Sequence, residues 1–437
     1  MIERGARPYF VGFDPASVPS PAYVVDRAAV EYNLALLRQT ADRAGAKVLL
    51  ALKAFAMPEV MGLVRTYLDG ACASGVYEAT FAREIAAGSA DSGGPADGDF
   101  EVHTYAPAYS ASDFARICDL SNHVVFNSLN QFRHHVPRPD GGPAGIAFGL
   151  RINPQCSLGD HEIYDPCAPY SRLGITREEL DRQIAAGGPS SPSGLSAPLA
   201  LAAALQGISG LHFHTLCEND SFALEKTLHA VYEAFGDILS LPQIRWLNMG
   251  GGHHITKPDY DRDHLVGLVQ DARRRYNLEV ILEPGEAAAI HTGVLVTTVM
   301  DIHRNNRDIA ILDSSATAHM PDTLEMPYRP DIWGAGRPGE KPHLYRLGGQ
   351  TCLAGDVMGD YSFDRPLHRG DRLVFDDMGH YTMVKTTSFN GMPVPSIVLW
   401  DSAKQGSSDQ KIVTIHAPEY ADFRNRLGGA IPGGIAP

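Results

Sequence analysis

Cysteine is scarce in this sequence of 437 residues: Cys72, Cys118, Cys156, Cys167, Cys217 and Cys352 are the whole set, with no CxxC pair among them. That spacing excludes a dense disulfide scaffold or a zinc-finger pattern, so free thiols are expected. The chain also lacks any run of eighteen apolar residues, and its first thirty residues have no basic start followed by an apolar core. Neither membrane insertion nor export is expected on those grounds, and the chain reads as cytoplasmic. Basic side chains are outnumbered by acidic ones, 37 to 51, for a formal net charge of −14. A nucleic acid or an anionic membrane needs a basic face to bind, so neither is expected as a partner, while a cationic small molecule suits the balance.

What the chain does have is ordinary globular composition, 44% hydrophobic and 20% charged, at a length that suits one large barrel and a second domain. Eight apolar, β-branched runs of strand length precede residue 290, with helix-like segments between them. They begin at Lys47, Gly70, Phe100, His123, Gly145, Gly207, Ile244 and Glu279, and they end at Phe55, Ser74, Ala106, Ser128, Asn153, Thr215, Gly252 and Gly285. Strands buried on both faces should be almost continuously apolar, and these nearly are. Eight such units in succession predict an α/β fold with a (β/α)8 barrel over residues 30–290. Beyond 290 the pattern turns to alternating, turn-rich segments such as VLVTTVMDIH and RLVFDDMGHYTMV. A second, mainly β domain is expected from residues 1–29 and 291–437, with SPAYVVD as its N-terminal strand. Two stretches low in apolar residues, Gly88 to Asp99 and Gly187 to Ser196, read as surface insertions.

Polar residues cluster at the C-terminal ends of the barrel strands, where barrel enzymes keep their chemistry: Lys53, Ser74, Arg151, His214, the Gly250–Gly252 run and Glu283. Lys53 stands among Ala, Leu, Ala and Phe. Such a setting lowers an amine's pKa and favours the neutral form that makes a Schiff base, although a lysine snorkelling to the surface has the same sequence. Gly250, Gly251 and Gly252 would let backbone amides approach a phosphate, and a tight turn would use them equally well. Glu283, in EPGE, would need a partner if buried, and a protonated ring nitrogen is one. His212 and His214 share one side of a strand and fit a metal pair, a hydrogen-bonded core pair, or a stack on a flat cofactor.

Taken together, the lysine after the first strand, FH after the sixth, GGG after the seventh, EPG after the eighth and the late GGQTCLAGD and MGHYT resemble one family. It is the fold type III, alanine racemase-like decarboxylases dependent on pyridoxal 5′-phosphate, which include the ornithine and diaminopimelate enzymes. Within that family the strings EVHTYAPAY, GLHFHTLCEN, WLNMGGGHHIT, AHMPDTLEMPYRP and YRLGGQTCLAGDVMGDYSF are most similar to carboxynorspermidine/carboxyspermidine decarboxylases, over roughly residues 20 to 400. The resemblance implies that Lys53 carries the cofactor, His214 stacks on its ring and Glu283 keeps the ring nitrogen protonated. Gly250, Gly251 and Gly252, with Tyr381 and Cys217, would cradle the phosphate. Cys352 would return a proton to the substrate carbon from across a homodimer interface, making the active sites shared.

For substrate choice the resemblance points to Glu286, Asp322 and Asp356. Glu286 stands where ornithine and diaminopimelate enzymes usually carry arginine, so an acid is gained that suits an ammonium. Leu353 stands where diaminopimelate enzymes place an acid, which argues against diaminopimelate. The implied activity is decarboxylation of a carboxylated triamine in polyamine biosynthesis. The alternative is decarboxylation of ornithine, lysine, arginine or diaminopimelate on the same fold. No metal is expected. A non-catalytic relative would have lost the lysine, the ring acid or the cysteine, and all three are present.

Overall fold

The computed structural model describes residues 9–88, 100–136, 145–159, 162–186, 196–404 and 412–429. Both expected insertions lie almost wholly outside those residues. The chain divides into two compact units, Asn33–Ala288 and, in two pieces, Met1–Tyr32 with Ala289–Pro437.

The Asn33–Ala288 unit is a closed barrel of eight parallel strands, and the α/β barrel fold expected from the strand pattern is the one observed. Counting Ala22–Asp26 of the other unit as β1, the barrel strands are β2 (Lys47–Ala51), β3 (Gly70–Ala73), β4 (Glu101–Tyr105), β5 (His123–Phe126), β6 (Ala147–Arg151), β7 (Ile208–His212), β8 (Trp246–Asn248) and β9 (Glu279–Leu282). Each pairs with its neighbour in sequence, and β9 closes on β2. Four of the described helices between the strands start on side-chain caps. Ser110 accepts from Asp113 N, Ser128 from Gln131 N, Asp220 from Ala223 N and Asp261 from His264 N, each satisfying an amide that the first helical turn leaves without a partner. The Ser221–Leu239 helix buries Leu224, Leu228, Val231, Phe235 and Ile238, an apolar stripe at helical spacing that lays it on the barrel.

Inside the barrel Trp246 packs with Leu49, Val125 and Ile281. Its indole lies where a side chain on β6 or β7 would stand. A Cβ at Gly210 would meet the ring at 2.0 Å, and one at Gly149 at 2.2 Å, so two glycines make room for one tryptophan. Its Nε1–H donates to Ser209 Oγ at 3.1 Å, which satisfies the indole's one polar group.

The other unit is built on a mixed eight-stranded sheet. Its long strand β10 (Gly293–Asn305) pairs antiparallel with β1 and with β11 (Arg307–Leu312). The sheet continues through β12 (His343–Gly348) and β13 (Val357–Phe363), while β14 (Arg372–Phe375) pairs with β10. On its other side β1 lies parallel to β15 (Ser396–Trp400), which pairs with β16 (Ile412–His416). Tyr23, Leu295, Leu347, Tyr361 and Phe375 are among the buried residues of its main core. Among the described residues no helix is long and apolar enough to cross a membrane.

Candidate active site

The expected barrel runs overshoot the observed strands at their C-terminal ends, and the chemistry lies in that overshoot. Lys53 is two residues past β2, His214 two past β7, and Glu283 directly follows β9. All three line one pocket of about 450 Å³, measured to its open mouth.

Lys53 is exposed by surface area, yet protein surrounds it on nearly all sides, as happens to a side chain standing in a pocket. Burial first, and then the Arg151 guanidinium, push its amine below the ordinary lysine pKa, so it loses its proton more readily. Its Nζ lies 3.4 Å from His214 Nε2. The other ring nitrogen, His214 Nδ1, accepts from the Gly251 amide at 3.0 Å, so the proton of the neutral ring sits on Nε2, facing the lysine. Burial, Lys53 and Arg151 hold His214 well below the usual histidine range, so it is neutral. Arg151 Nη2 also donates to His214 O at 2.9 Å, and its guanidinium lies 4.5 Å from the centre of the Tyr105 ring.

Glu283 accepts on both oxygens: from Asn248 Nδ2 at 2.7 Å on Oε1, and from His212 Nε2 at 3.2 Å on Oε2. Burial alone would raise its pKa, but the His212 and Asn248 donors with His103 nearby outweigh that, and it falls to about 2. His212 is buried and its own pKa is lowered, which sets it against being the cationic half of an ion pair. We assign His212 as neutral, donating through Nε2–H to an ionised Glu283. The Cys72 thiol also hydrogen-bonds Glu283, and burial keeps that thiol protonated.

The glycine run is packed too tightly for any side chain. A Cβ on Gly251 would meet Glu283 O at 2.1 Å and one on Gly252 would meet Leu216 O at 1.9 Å, while Gly250 and Gly252 have φ of +65° and +84°. Of the three amides expected to face a phosphate, two already have acceptors: Gly250 N–H donates to Asn248 Oδ1 at 2.9 Å, and Gly251 N–H to His214. Cys217 lies just beyond this run's neighbour Leu216, partly buried.

The acids expected to meet substrate all carry protein partners. Glu286 Oε1 lies 3.0 Å from His254 Nε2, with both side chains largely buried. In the sheet unit, Asp322 and Glu325 share the Lys385 ammonium. Asp356 departs furthest from the expected substrate contact. It is 4% exposed and accepts from Ser315 Oγ, from the amides of Ala316 and Thr317, and from the amide and hydroxyl of Thr351. Its lone pairs are fully used in tying Ser315–Thr317 to the turn before Cys352. Cys352 itself is exposed, and its amide donates to Asn390 Oδ1 at 2.6 Å. Tyr381 is partly buried with φ of +47°.

Among the described residues one trio has metal-ligand chemistry, Glu101, His103 and His123. The two imidazoles stack at 3.9 Å with planes 14° apart, so their in-plane lone pairs cannot converge on one ion. Glu101 is meanwhile held by Lys47 and by His103 Nε2. The stacked rings and the Lys47 contact give the trio the geometry of a polar cluster rather than of a metal centre.

Sequence reasoning did not single out Asn248 or Cys72. Asn248 had a readable signal, a polar residue closing an apolar strand just ahead of a glycine run. Cys72 had none beyond its place in β3.

A sequence model described as "Pyridoxal-dependent decarboxylase, C-terminal sheet domain" matches residues 22–379. The carboxynorspermidine/carboxyspermidine decarboxylase of Campylobacter jejuni is 41% identical over 395 residues, covering 88% of this chain and 94% of that protein. The carboxyaminopropylagmatine decarboxylase of Synechocystis is also 41% identical, over 415 residues, covering 94% and 96%. A crystal structure of the Campylobacter jejuni carboxynorspermidine decarboxylase, complexed with norspermidine, superimposes with a TM-score of 0.77 at 38% identity, covering 94% of this chain and all of that one. The pocket's donor set fits the cofactor these names imply: an amine inclined to be neutral for its aldehyde, an ionised carboxylate for its ring nitrogen, and a neutral imidazole beside them. The chain belongs to the pyridoxal-dependent decarboxylase family, as a carboxy-lyase that uses pyridoxal 5′-phosphate.

Proposed function

We propose that this enzyme decarboxylates carboxynorspermidine, carboxyspermidine or both, giving norspermidine or spermidine. The observation that carries the reading is the gathering of Lys53, His214 and Glu283 in one pocket, in a chain so similar along its length to an enzyme of that name. Bound in this pocket, pyridoxal phosphate supplies the electron sink that takes up the bonding pair as carbon dioxide leaves. Lys53 Nζ would hold the cofactor through its aldehyde. Glu283, ionised and held on both oxygens, would keep a proton on the ring nitrogen, without which the sink is weak. His214 would meet the cofactor's ring, its tautomer set by the Gly251 amide. Cys352 returns the proton to the substrate carbon, and Asn390 and Asp356 hold the turn that carries it.

Glu286 and Asp322 receive ammonium groups of the substrate, with His254 and Lys385 as their partners in its absence. A charge-assisted hydrogen bond to each contributes roughly 1.5 to 3 kcal/mol. The acidic balance of −14 favours such a cation. We further propose a homodimer in which Cys352 serves the partner's Lys53. Each site then needs two chains.

A second reading has its own support, since the Synechocystis relative is equally identical and is matched over more of the chain. Carboxyaminopropylagmatine ends in a guanidinium, which two carboxylates would also accept. The test is carbon dioxide release by purified holoenzyme from each of the three carboxylated polyamines and from ornithine, lysine, arginine and diaminopimelate. The reading expects one of the first two to exceed every amino acid in kcat/KM by at least about tenfold. Carboxyaminopropylagmatine in first place transfers the assignment to the second reading, and an amino acid in first place overturns both.

A further inference from the structure

Asn248 closes β8 with no exposed surface, and its amide group bonds in two opposite senses. Nδ2–H donates to Glu283 Oε1 at 2.7 Å, and Oδ1 accepts from the Gly250 amide at 2.9 Å. An ionised carboxylate on one side demands a donor, and a backbone N–H on the other demands an acceptor. One small planar group offering both is a carboxamide. The bond to Gly250 also braces the turn at φ +65° that presents the next amide, Gly251 N–H, to His214 Nδ1. One buried side chain therefore connects the ring acid to the histidine beside Lys53.

We propose that Asn248 is a positioning residue, holding the Glu283 carboxylate aligned and charged while fixing the turn that orients His214. This deepens the role given to Glu283 above and rests on it. Cys72 of β3, His103 and Tyr105 of β4, His123 of β5, Arg151 of β6, His212 of β7, and Lys53, Glu78 and His214 beyond the strand ends are the other titratable or charged groups acting on Glu283 or on the pocket around it. Asn248 meets both the carboxylate and the glycine turn.

Asn248→Asp gives a signature that a merely structural role would not. While protonated, the introduced carboxyl imitates the amide, its O–H donating to Glu283 and its C=O accepting from Gly250. Once it ionises, two carboxylate oxygens face each other across a hydrogen-bond distance. Two such acids share a proton in a fully buried place, so the second ionisation lies well above the ordinary aspartate range, at about pH 6 to 8. The folded-state pKa of the introduced carboxyl is thus raised, and the stability it lends is present in acid and lost as the pH rises through that value.

The experiment follows holoenzyme from about pH 5.5 to about pH 8.5, reading kcat, KM, the visible band of the cofactor and the unfolding midpoint. Relative to wild type, Asn248→Asp should keep most of its kcat at the acid end and lose about 10²-fold at the alkaline end, with KM little changed. The unfolding midpoint and the visible band should follow the same ionisation. Asn248→Ala should be impaired at every pH. The exchanged pair Asn248→Asp with Glu283→Gln keeps every hydrogen bond but moves the charge, so it should unfold near wild type at neutral pH and still turn over about 10²-fold slower. If Asn248→Asp matches wild type across the range, or is impaired equally at every pH, the proposal is overturned while the reading of Glu283 stands. If Glu283→Gln alone keeps full turnover, the reading of Glu283 falls instead.

Discussion

At the scale of single residues, the structure divides buried histidines by what their two nitrogens touch. His319 Nδ1 accepts from Ser315 N at 3.2 Å and Nε2 donates to Pro393 O at 3.1 Å, a complete set for the neutral ring with no place for a second proton. His253 is equally buried, with Nδ1 at 2.6 Å from Tyr260 Oη. Burial lowers both pKa values to about 4. Because the folded values are depressed, the unfolded chain takes up protons first. Stability is full above about pH 6.5 and falls by about 1.4 kcal/mol per pH unit for each histidine as the pH drops toward 4. Urea unfolding should therefore show a marked loss between about pH 7.5 and about pH 5, smaller in a His319→Gln variant; a flat profile would contradict the neutral assignment. The sequence left Lys53 open between a pocket amine and a lysine snorkelling to the surface, and the structure places it in the pocket with His214 and Glu283. The pairing of Asp322 with Lys385, and of Glu286 with His254, was not legible, because each partner comes from a distant stretch of chain.

Among elements, the barrel strands were visible as continuous apolar runs because both faces of a parallel strand are covered. Their C-terminal limits were not visible, since the apolar character continues while the backbone leaves the ladder. Past β7, for instance, Phe213 remains buried and its amide still bonds to Asn248 O as the chain runs into the loop. Every pocket residue that overshoots a strand owes its position to that departure. The filling of the barrel was equally hidden: nothing local marks Gly149 and Gly210 as the space for Trp246. Gly210→Ala should force the indole to move and cost about 1 to 3 kcal/mol or more in urea unfolding, and Trp246→Leu in the same chain should recover part of it. Additive losses in the double variant would show that the two sites do not share the space. In the sheet unit, the alternating segments announced strands, but the parallel contact of β1 with β15 joins opposite ends of the sequence and leaves no local trace.

For the whole molecule, the proposed dimer makes a quantitative demand. A Lys53→Ala chain keeps Cys352, and a Cys352→Ala chain keeps Lys53, so each alone should be nearly inactive. Co-assembled in equal amounts, they form mixed dimers with one intact site in two, and activity should recover to about a quarter of wild type. Recovery to no more than the average of the two variants would place both groups on one chain. Beneath the dimer, the substrate and Asn248 lies a single bond. Borohydride reduction of the holoenzyme, followed by peptide mapping, tests it most directly. The mass of reduced pyridoxal phosphate should appear on Lys53, and no adduct should form in Lys53→Ala. An adduct on another lysine, or cofactor released unreduced with Lys53 unmodified, would contradict the account at its centre.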